Sequence, residues 1–433
     1  MKISELGYTF RMYEEPDLIF SRDQHSKYFE DLFKYGPYSG AQSQTTIPVL
    51  DIDNGLKDLK SAYSQLKDKV NYYLSKICGA KLGDPQQINI ASLNDKVRNS
   101  SDQLTLVVAE SGTIENLWMK TKLTAMVSKK RVQFFRTGRV RSLDKDKGQL
   151  PYVAQGLAAQ LVAKLGATPW LVGNDPSEPF VEKNTLIVGV AFYRSVSDKL
   201  LRYGVAQFYD VSNLDHYFAL TSFNLEVKGL YLPQGKTKEL LTKGMQWYKD
   251  RQGKPPDWLF LYKSTRLHRE EKRDLAEFKE LKWVHVYTKN DGTIRLYDLD
   301  DADPIRPYMV RRGLAYICTR LGPVSEGNGE PVPELGKILL TTTGVIKWKY
   351  GERRTLGTPK PLELAIHSNF KVDLEMIPRQ VLALTRMDWE NMNPEYREPY
   401  LFKYARRIAE NAEKLPKMGV DPAELNFGIR DVM

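Results

Sequence analysis

"YVAQGLAAQLVAKLGATPW", Tyr152 to Trp170, decides how the first half of this chain is read. Val153, Leu157, Leu161 and Leu165 recur every four residues with alanines on the flanks, which marks an apolar helix closed by a glycine and then a proline. Little of such a helix suits open water, so the lysine in its last turn, Lys164, demands an account. In one account the cation complements the helix dipole and snorkels outward while Gly166 supplies a left-handed cap. In the other the ammonium group holds a ligand. Periodicity alone leaves both open.

Working outward, residues 46 to 171 alternate strand and helix. "TIPVLDI" is a strand, and Leu56, Leu59, Tyr63, Leu66, Val70, Tyr73 and Ile77 mark one face of a long helix stopped at Gly79. "LTLVVAE" is a buried strand, "TIENLWMKTKLTAMVS" a helix and "VQFFRT" a strand, after which the opening helix follows. This order predicts a Rossmann-like parallel sheet. Ligands in such sheets sit beyond the carboxyl ends of the strands, near helix termini, a place within reach of Lys164, Gln133 and the start of the Trp118 helix.

From residue 172 the pattern changes. "TLIVGVAFYRS", "YGVAQFYD" and "HYFALTSFN" form an antiparallel meander, followed by the helix "TKELLTKGMQWYKDRQG", the strand "DWLFLYKS", the helix "HREEKRDLAEFKELK" and the strand "WVHVYTK". That β-β-β-α-β-α-β order is the order of a ribonuclease-H-like fold. "DLEMIPRQVLALTRMDW" and "PYLFKYARRIAENAEKL" are closing helices.

Composition sets the bounds. The 433 residues predict two to three domains, and 42% hydrophobic residues make a folded globular protein. No run approaches the roughly 18 apolar residues needed to cross a bilayer. "MKISELGYTF" has no continuous apolar stretch of the secretory kind, so the expected address is cytoplasmic. Cys78 and Cys318 are too few for a disulfide framework or a cysteine-based zinc site. A formal charge of +10 points to a polyanionic partner such as nucleic acid.

The residues offer no self-evident catalytic centre. A ribonuclease-H-like nuclease needs several carboxylates around two Mg²⁺ ions, one on the first strand and another at the end of the fourth. Here the first strand carries no acid before Asp198, and the fourth ends in Lys263 and Ser264. The five histidines, His25, His216, His268, His285 and His367, show no metal-ligand spacing. "DLDDADP", Asp298 to Pro304, reads as an acidic loop, and "GERRTLGTPK" as a basic turn that also suits phosphate contacts.

At this point the opening stretch becomes specific. "AAQLVAKLGATPW" resembles the segment joining the MID and PIWI domains of Argonaute proteins. "LIVGVAFYRS" resembles the first PIWI strand, "FLYKST" the strand ending that carries an acid in cleaving members, and "GTPKPLEL" a late PIWI strand. "LALTRMDWENMNPEYREPYLFKYARRIAE" is similar to the closing PIWI helices, and "LGYTFRMY" with "YFEDLFKYGPYSG" to the short extension of archaeal Argonautes that lack N and PAZ domains. The resemblance implies an N-terminal extension over 1–45 packing on the PIWI side, a Rossmann-like MID domain over 46–171 and a ribonuclease-H-like PIWI domain over 172–433.

The resemblance also implies site residues. The family's MID pocket holds the 5′ phosphate of a guide strand with an aromatic ring, two lysines and a glutamine, which fall on Trp118, Lys122, Gln133 and Lys164. Two ammonium groups and an amide suit a terminal phosphate, and a flat ring stacks on the first base. Trp118 departs from the family's usual tyrosine and lacks its phenol, and Gln133 requires one inserted residue. In archaeal relatives the terminal carboxylate, here Met433, helps hold a divalent ion, Mg²⁺, against that phosphate. The PIWI positions that hold metals in cleaving members fall on Ala191, Ser264 and Arg406, with Glu226 or Glu239 for the glutamate of a variable loop, so the expectation is a catalytically inactive PIWI domain. The implied function is a short Argonaute that loads a guide and recognises complementary DNA or RNA. It signals through a separate protein carrying the missing Argonaute domain and an effector. The competing expectations are a guide-directed Mg²⁺ nuclease and a sequence-independent nucleic-acid binder.

Overall fold

The computed structural model describes residues 8–40, 45–194, 201–210, 215–224, 231–289, 294–301, 308–319, 334–348, 351–354, 360–390, 392, 398–412 and 415. From the amino end run strand β1 (Tyr8–Met12) and a single helical turn, α1 (Leu32–Tyr35). Then come β2 (Thr46–Ile52), α2 (Lys60–Ile77), β3 (Lys81–Ile88), α3 (Leu93–Arg98), β4 (Leu104–Ala109), α4 (Ser111–Val127), β5 (Arg131–Arg136), α5 (Thr137–Lys145) and α6 (Leu150–Lys164). The chain divides into two compact units. One comprises Leu18–Leu171 with Asp388–Met392, and the other 8–17 with Val172–Met387 and the described residues from 398 onward.

In the first unit four parallel strands lie in the order β3-β2-β4-β5. One face carries a core in which Leu157 and Leu161 of α6 meet Tyr63, Leu66 and Val70 of α2, and the other a smaller core including Ile114 and Ala125 of α4 with Val97 of α3. Each fully buried leucine is worth about 1.5–3 kcal/mol of transfer free energy, so α6 is held by its apolar stripe. The helix ends as its sequence predicts. Gly166 sits at φ 104°, its N–H bonds Ala163 O at 3.1 Å, and Ala167 N–H bonds Val162 O at 3.2 Å, the pattern of a Schellman cap. Three elements go beyond the sequence reading: the edge strand β3, which contains Gly83 and Pro85, and the short helices α3 and α5.

The second unit is built on a nine-stranded sheet. After β6 (Thr185–Arg194), β7 (Leu201–Asp210) and β8 (Asp215–Asn224) come α7 (Lys236–Gln252), β9 (Trp258–Lys263), α8 (Arg269–Ala276) and β10 (Lys282–Lys289). Beyond these lie β11 (Leu314–Cys318), β12 (Glu334–Leu340), β13 (Leu362–Ser368), α9 (Met376–Arg386) and α10 (Tyr400–Ala412). The spatial order is β1-β11-β12-β13-β10-β9-β6-β7-β8, with β6, β7 and β8 an antiparallel meander and β9 parallel to both β6 and β10. This is the predicted β-β-β-α-β-α-β order.

The described part of the first 45 residues, read from the sequence as one extension, divides between the units. β1 pairs antiparallel with β11 at the edge of the nine-stranded sheet, and the Glu15 carboxylate accepts from the guanidinium groups of Arg312 and Arg386. Residues from Leu18 onward belong to the other unit, where Thr168 N–H bonds Ser39 O at 2.6 Å and Tyr38 N–H bonds Pro169 O at 3.3 Å. Cys78 and Cys318 are buried and not joined in a disulfide, and burial raises the Cys78 pKa.

Candidate nucleic-acid interface

The four residues carried onto the MID pocket cluster about one strand. Val132 and Phe134 of β5 pack toward the α4 core, and Phe135 toward the core under α6. By alternation Gln133 therefore points to the α6 side, where its side-chain amide donates to Phe134 O at 2.9 Å. Lys164 closes α6 on that side. It is only 2% exposed, and its Nζ donates to Val132 O at 2.8 Å, while Arg131 donates back to Lys164 O at 2.6 Å. The snorkelling account of Lys164 is thus corrected: the helix ends against β5, and the side chain turns in to the strand.

On the other side of β5, Trp118 and Lys122 stand one turn apart on α4. The Lys122 Nζ lies 4.8 Å from the centre of the Trp118 ring, and Lys122 is buried while Trp118 is half-buried. Two buried ammonium groups on two helices therefore flank the edge strand that carries Gln133. Their place differs from the carboxyl-end crevice that sheet topology predicts, because Val132 is the second residue of β5 and α6 finishes at the amino end of the sheet. Met433, the residue proposed for the ion at the phosphate, lies outside the described residues. Trp118, Lys122, Gln133 and Lys164 include no carboxylate, so these four do not make a Mg²⁺ site by themselves.

In the nine-stranded sheet the register brings Ala191 and Ser264 to neighbouring positions, since Val190 of β6 pairs with Lys263 of β9 and each chain continues by one residue. Val188 and Val190 pack toward Leu240 and Leu241 of α7. Gly189 faces α10, where a Cβ would come within 2.7 Å of Leu401 Cβ, and Ala191 shares that face by alternation. Arg406 lies on the exposed side of α10, paired with Glu398. Glu239 projects from α7, on the opposite face of the sheet, and is held by Lys236 at 2.7 Å and Lys243 at 3.0 Å. Those two lysines keep its carboxyl below the ordinary glutamate range. Glu226 lies outside the described residues.

Beside Ser264 is a feature the sequence reading did not isolate. Lys263 is buried with its Nζ 2.6 Å from Glu271 Oε2, and both side chains are 1% exposed. Burial pushes the Lys263 pKa down, and Glu271 opposes that shift. Glu271 also accepts from Leu232 N–H at 2.9 Å and His268 N–H at 2.8 Å. His285 and His367 pair across β10 and β13 with ring centres 5.5 Å apart. Burial, followed by the charges of His367 and Lys263, holds His285 well below its ordinary value and neutral. Among the described residues no group of three or more His, Cys, Asp or Glu side chains could hold a metal.

No sequence-family model matches the chain, and no curated protein matches it in sequence. Solved structures do match. Clostridium butyricum Argonaute, bound to a guide DNA and a 19-mer target DNA, aligns with a TM-score of 0.72 at 15% identity over 98% of this chain and 55% of its own. Drosophila Piwi aligns with a TM-score of 0.63 at 14% identity over 98% and 55%, and A. aeolicus Argonaute with 0.60 at 14% identity over 93% and 53%. The chain spans about half the length of these proteins. At such identities the likeness is one of fold. No helix among the described residues is long and apolar enough to cross a membrane. A parallel Rossmann-like unit followed by a ribonuclease-H-like one, superposing on these three proteins, gives this chain an Argonaute-like MID–PIWI fold.

Proposed function

We propose that the chain binds the 5′ end of a guide strand at Trp118, Lys122, Gln133 and Lys164, and uses the guide to recognise complementary DNA or RNA without cutting it. The observation that carries this reading is the pair of buried ammonium groups flanking β5. Two ammonium groups on either side of one strand, with an amide beside them, supply the charge-assisted hydrogen bonds that suit a terminal phosphate. The fold supports it as well, since the C. butyricum protein that shares it is bound to guide and target DNA. A Mg²⁺ ion at the guide phosphate belongs to this reading only through Met433.

An uncut target changes nothing by itself. We therefore assign the response to a separate effector protein that reads the target-bound state in the cytoplasm, in defence against invading genetic elements. Lys122→Ala tests the pocket. It should weaken binding of a 5′-phosphorylated oligonucleotide by about 1–3 kcal/mol and leave the 5′-hydroxyl version nearly unchanged. Equal losses for both would reduce the pocket to general charge contacts and favour a sequence-independent binder.

A further inference from the structure

A second surface of the Rossmann-like unit has the chemistry of a single-strand contact. Residues 21–40 and the end of α2 enclose a groove of about 750 Å³, within the roughly 300–1,000 Å³ typical of ligand clefts. Among the described residues lining it are three cations, Arg22, Lys34 and Lys76, and no carboxylate. Each lysine carries a ring. Lys34 Nζ lies 4.5 Å from the Tyr35 ring centre and donates to its hydroxyl at 2.8 Å, and Lys76 Nζ lies 4.5 Å from the ring of Tyr72. A second cation, Lys69, stands 5.1 Å from that same ring.

The rings are presented on a fixed frame. Tyr72 is 48% exposed and Tyr38 43%. Tyr72 leans edge-on against Tyr73 at 5.4 Å, and Tyr73 packs on Phe33 at 4.5 Å next to the main core. Tyr38 is held by its backbone bond to Pro169 O. The hydrogen bond and charge of Lys76 keep the Tyr72 phenol below its ordinary value. A single exposed tyrosine is ordinary. Tyr38 lines the groove and Tyr72 stands next to it against Lys76, and exposed flat rings set among lysines with no carboxylate among the described lining residues are the arrangement that stacks bases and tracks phosphates.

We propose that this groove, with the Tyr72 ring that Lys76 joins to its margin, is a second nucleic-acid contact, taking one or two unpaired nucleotides with Tyr38 and Tyr72 stacked on bases and Lys34 and Lys76 on phosphates. It shares no residue with the guide-end pocket and does not rest on it. The two therefore fail separately: Lys122→Ala acts only on a 5′-phosphorylated strand, whereas groove variants act on 5′-phosphate and 5′-hydroxyl strands alike.

The test is anisotropy of labelled single strands with the full chain. Tyr38→Ala and Tyr72→Ala should each weaken binding about five- to tenfold. Tyr72→Phe, which keeps the stacking ring, should retain it, separating loss of stacking from loss of fold. Lys34→Gln and Lys76→Gln should each lower the salt slope by about 0.7. Iodouridine strands should crosslink to peptides containing Tyr38 or Tyr72. Wild-type affinity in a Tyr38→Ala/Tyr72→Ala double variant would overturn the proposal. So would crosslinks confined to other peptides, or competition by polyaspartate as effective as that by an unlabelled single strand.

Discussion

Both units bury lysines, and they do so in opposite ways. Lys263, at the end of β9, meets Glu271 at 2.6 Å, so its positive charge is cancelled by an anion built into the chain. Lys164 and Lys122 flank β5, one donating to a carbonyl and the other lying over a ring. The first arrangement is a closed structural device. The second places two buried ammonium groups on either side of one edge strand, beside Gln133.

The largest effect expected comes from opening the closed device. Glu271→Gln leaves the Lys263 ammonium buried without its counter-charge, and should cost about 3–5 kcal/mol of stability in urea unfolding. Adding Lys263→Met removes the stranded cation, while the amide oxygen of the glutamine keeps one of the two backbone bonds, from Leu232 or His268, so the double variant should recover part of that loss. A double variant no more stable than the single would mean that the pair matters through packing, and the contrast with β5 would weaken.

Lys164→Met probes the other arrangement and should be read on two scales. Replacing a buried cation by an apolar chain of similar length keeps the helix packed but removes the bond to Val132 O, so stability should fall by about 0.5–1.5 kcal/mol, less than for Glu271→Gln. Affinity for a 5′-phosphorylated strand should fall by about 1–3 kcal/mol relative to the 5′-hydroxyl strand. If unfolding shows a loss comparable to that of Glu271→Gln while the phosphate preference survives, Lys164 is a structural lysine like Lys263.

The two units also differ in what their sequence discloses. Long periodic segments announce themselves: the α6 stripe from Val153 to Leu165 and the order from Thr185 to Lys289 both reappear in the structure. β3 does not, because an edge strand with Gly83 and Pro85 and one polar face lacks the apolar alternation that marks a strand. Lys164 stood out because a cation at the end of an apolar helix is anomalous. Its hydrogen bond to Val132 O is a tertiary fact with no local signal. Glu271 is buried, yet it sits in "HREEKRDLAEFKELK", where charge density predicts a solvated helix. The pairing of His285 with His367 is set by the register of β10 on β13, which no spacing encodes.

A smaller effect is expected from acid. Burial raises the Glu15 pKa, but Arg312 and then Arg386 outweigh it, leaving the carboxyl below its ordinary value. A depressed carboxylate contributes stability above its unfolded pKa and loses it as pH falls through the folded one. Unfolding midpoints of the wild type should therefore drop below the ordinary glutamate range, and Glu15→Gln should lower neutral-pH stability while flattening that acid limb. An unchanged acid limb in the variant would assign the pH dependence to other carboxylates. Because Glu15 ties the segment after β1 to the nine-stranded unit, the Rossmann-like unit should show less of this dependence in hydrogen exchange.

The smallest expected effect is none at all. Two-metal hydrolysis needs acids that hold ions against both the attacking and the leaving oxygen. At the neighbouring strand ends where those acids are needed, Ala191 has no ligand atom and Ser264 offers a neutral hydroxyl. Lys263, next in sequence to Ser264, turns to the α7 face, where Glu271 pairs with it, and Arg406 on α10 is a cation paired with Glu398, so neither supplies a metal ligand. Glu239 faces the other side of the sheet between two lysines, so it does not replace what is missing. A guide-loaded protein mixed with a fully complementary labelled target and Mg²⁺ or Mn²⁺ should therefore yield no discrete product. Ala191→Asp with Ser264→Asp should restore no cut, because the remaining ligand positions still lack acids. A single guide-dependent cut in the wild-type chain would sink the non-cleaving reading and promote the nuclease. A cut appearing only in the double variant would show that Ala191 and Ser264 alone had silenced the site, and that Arg406 does not keep metal away.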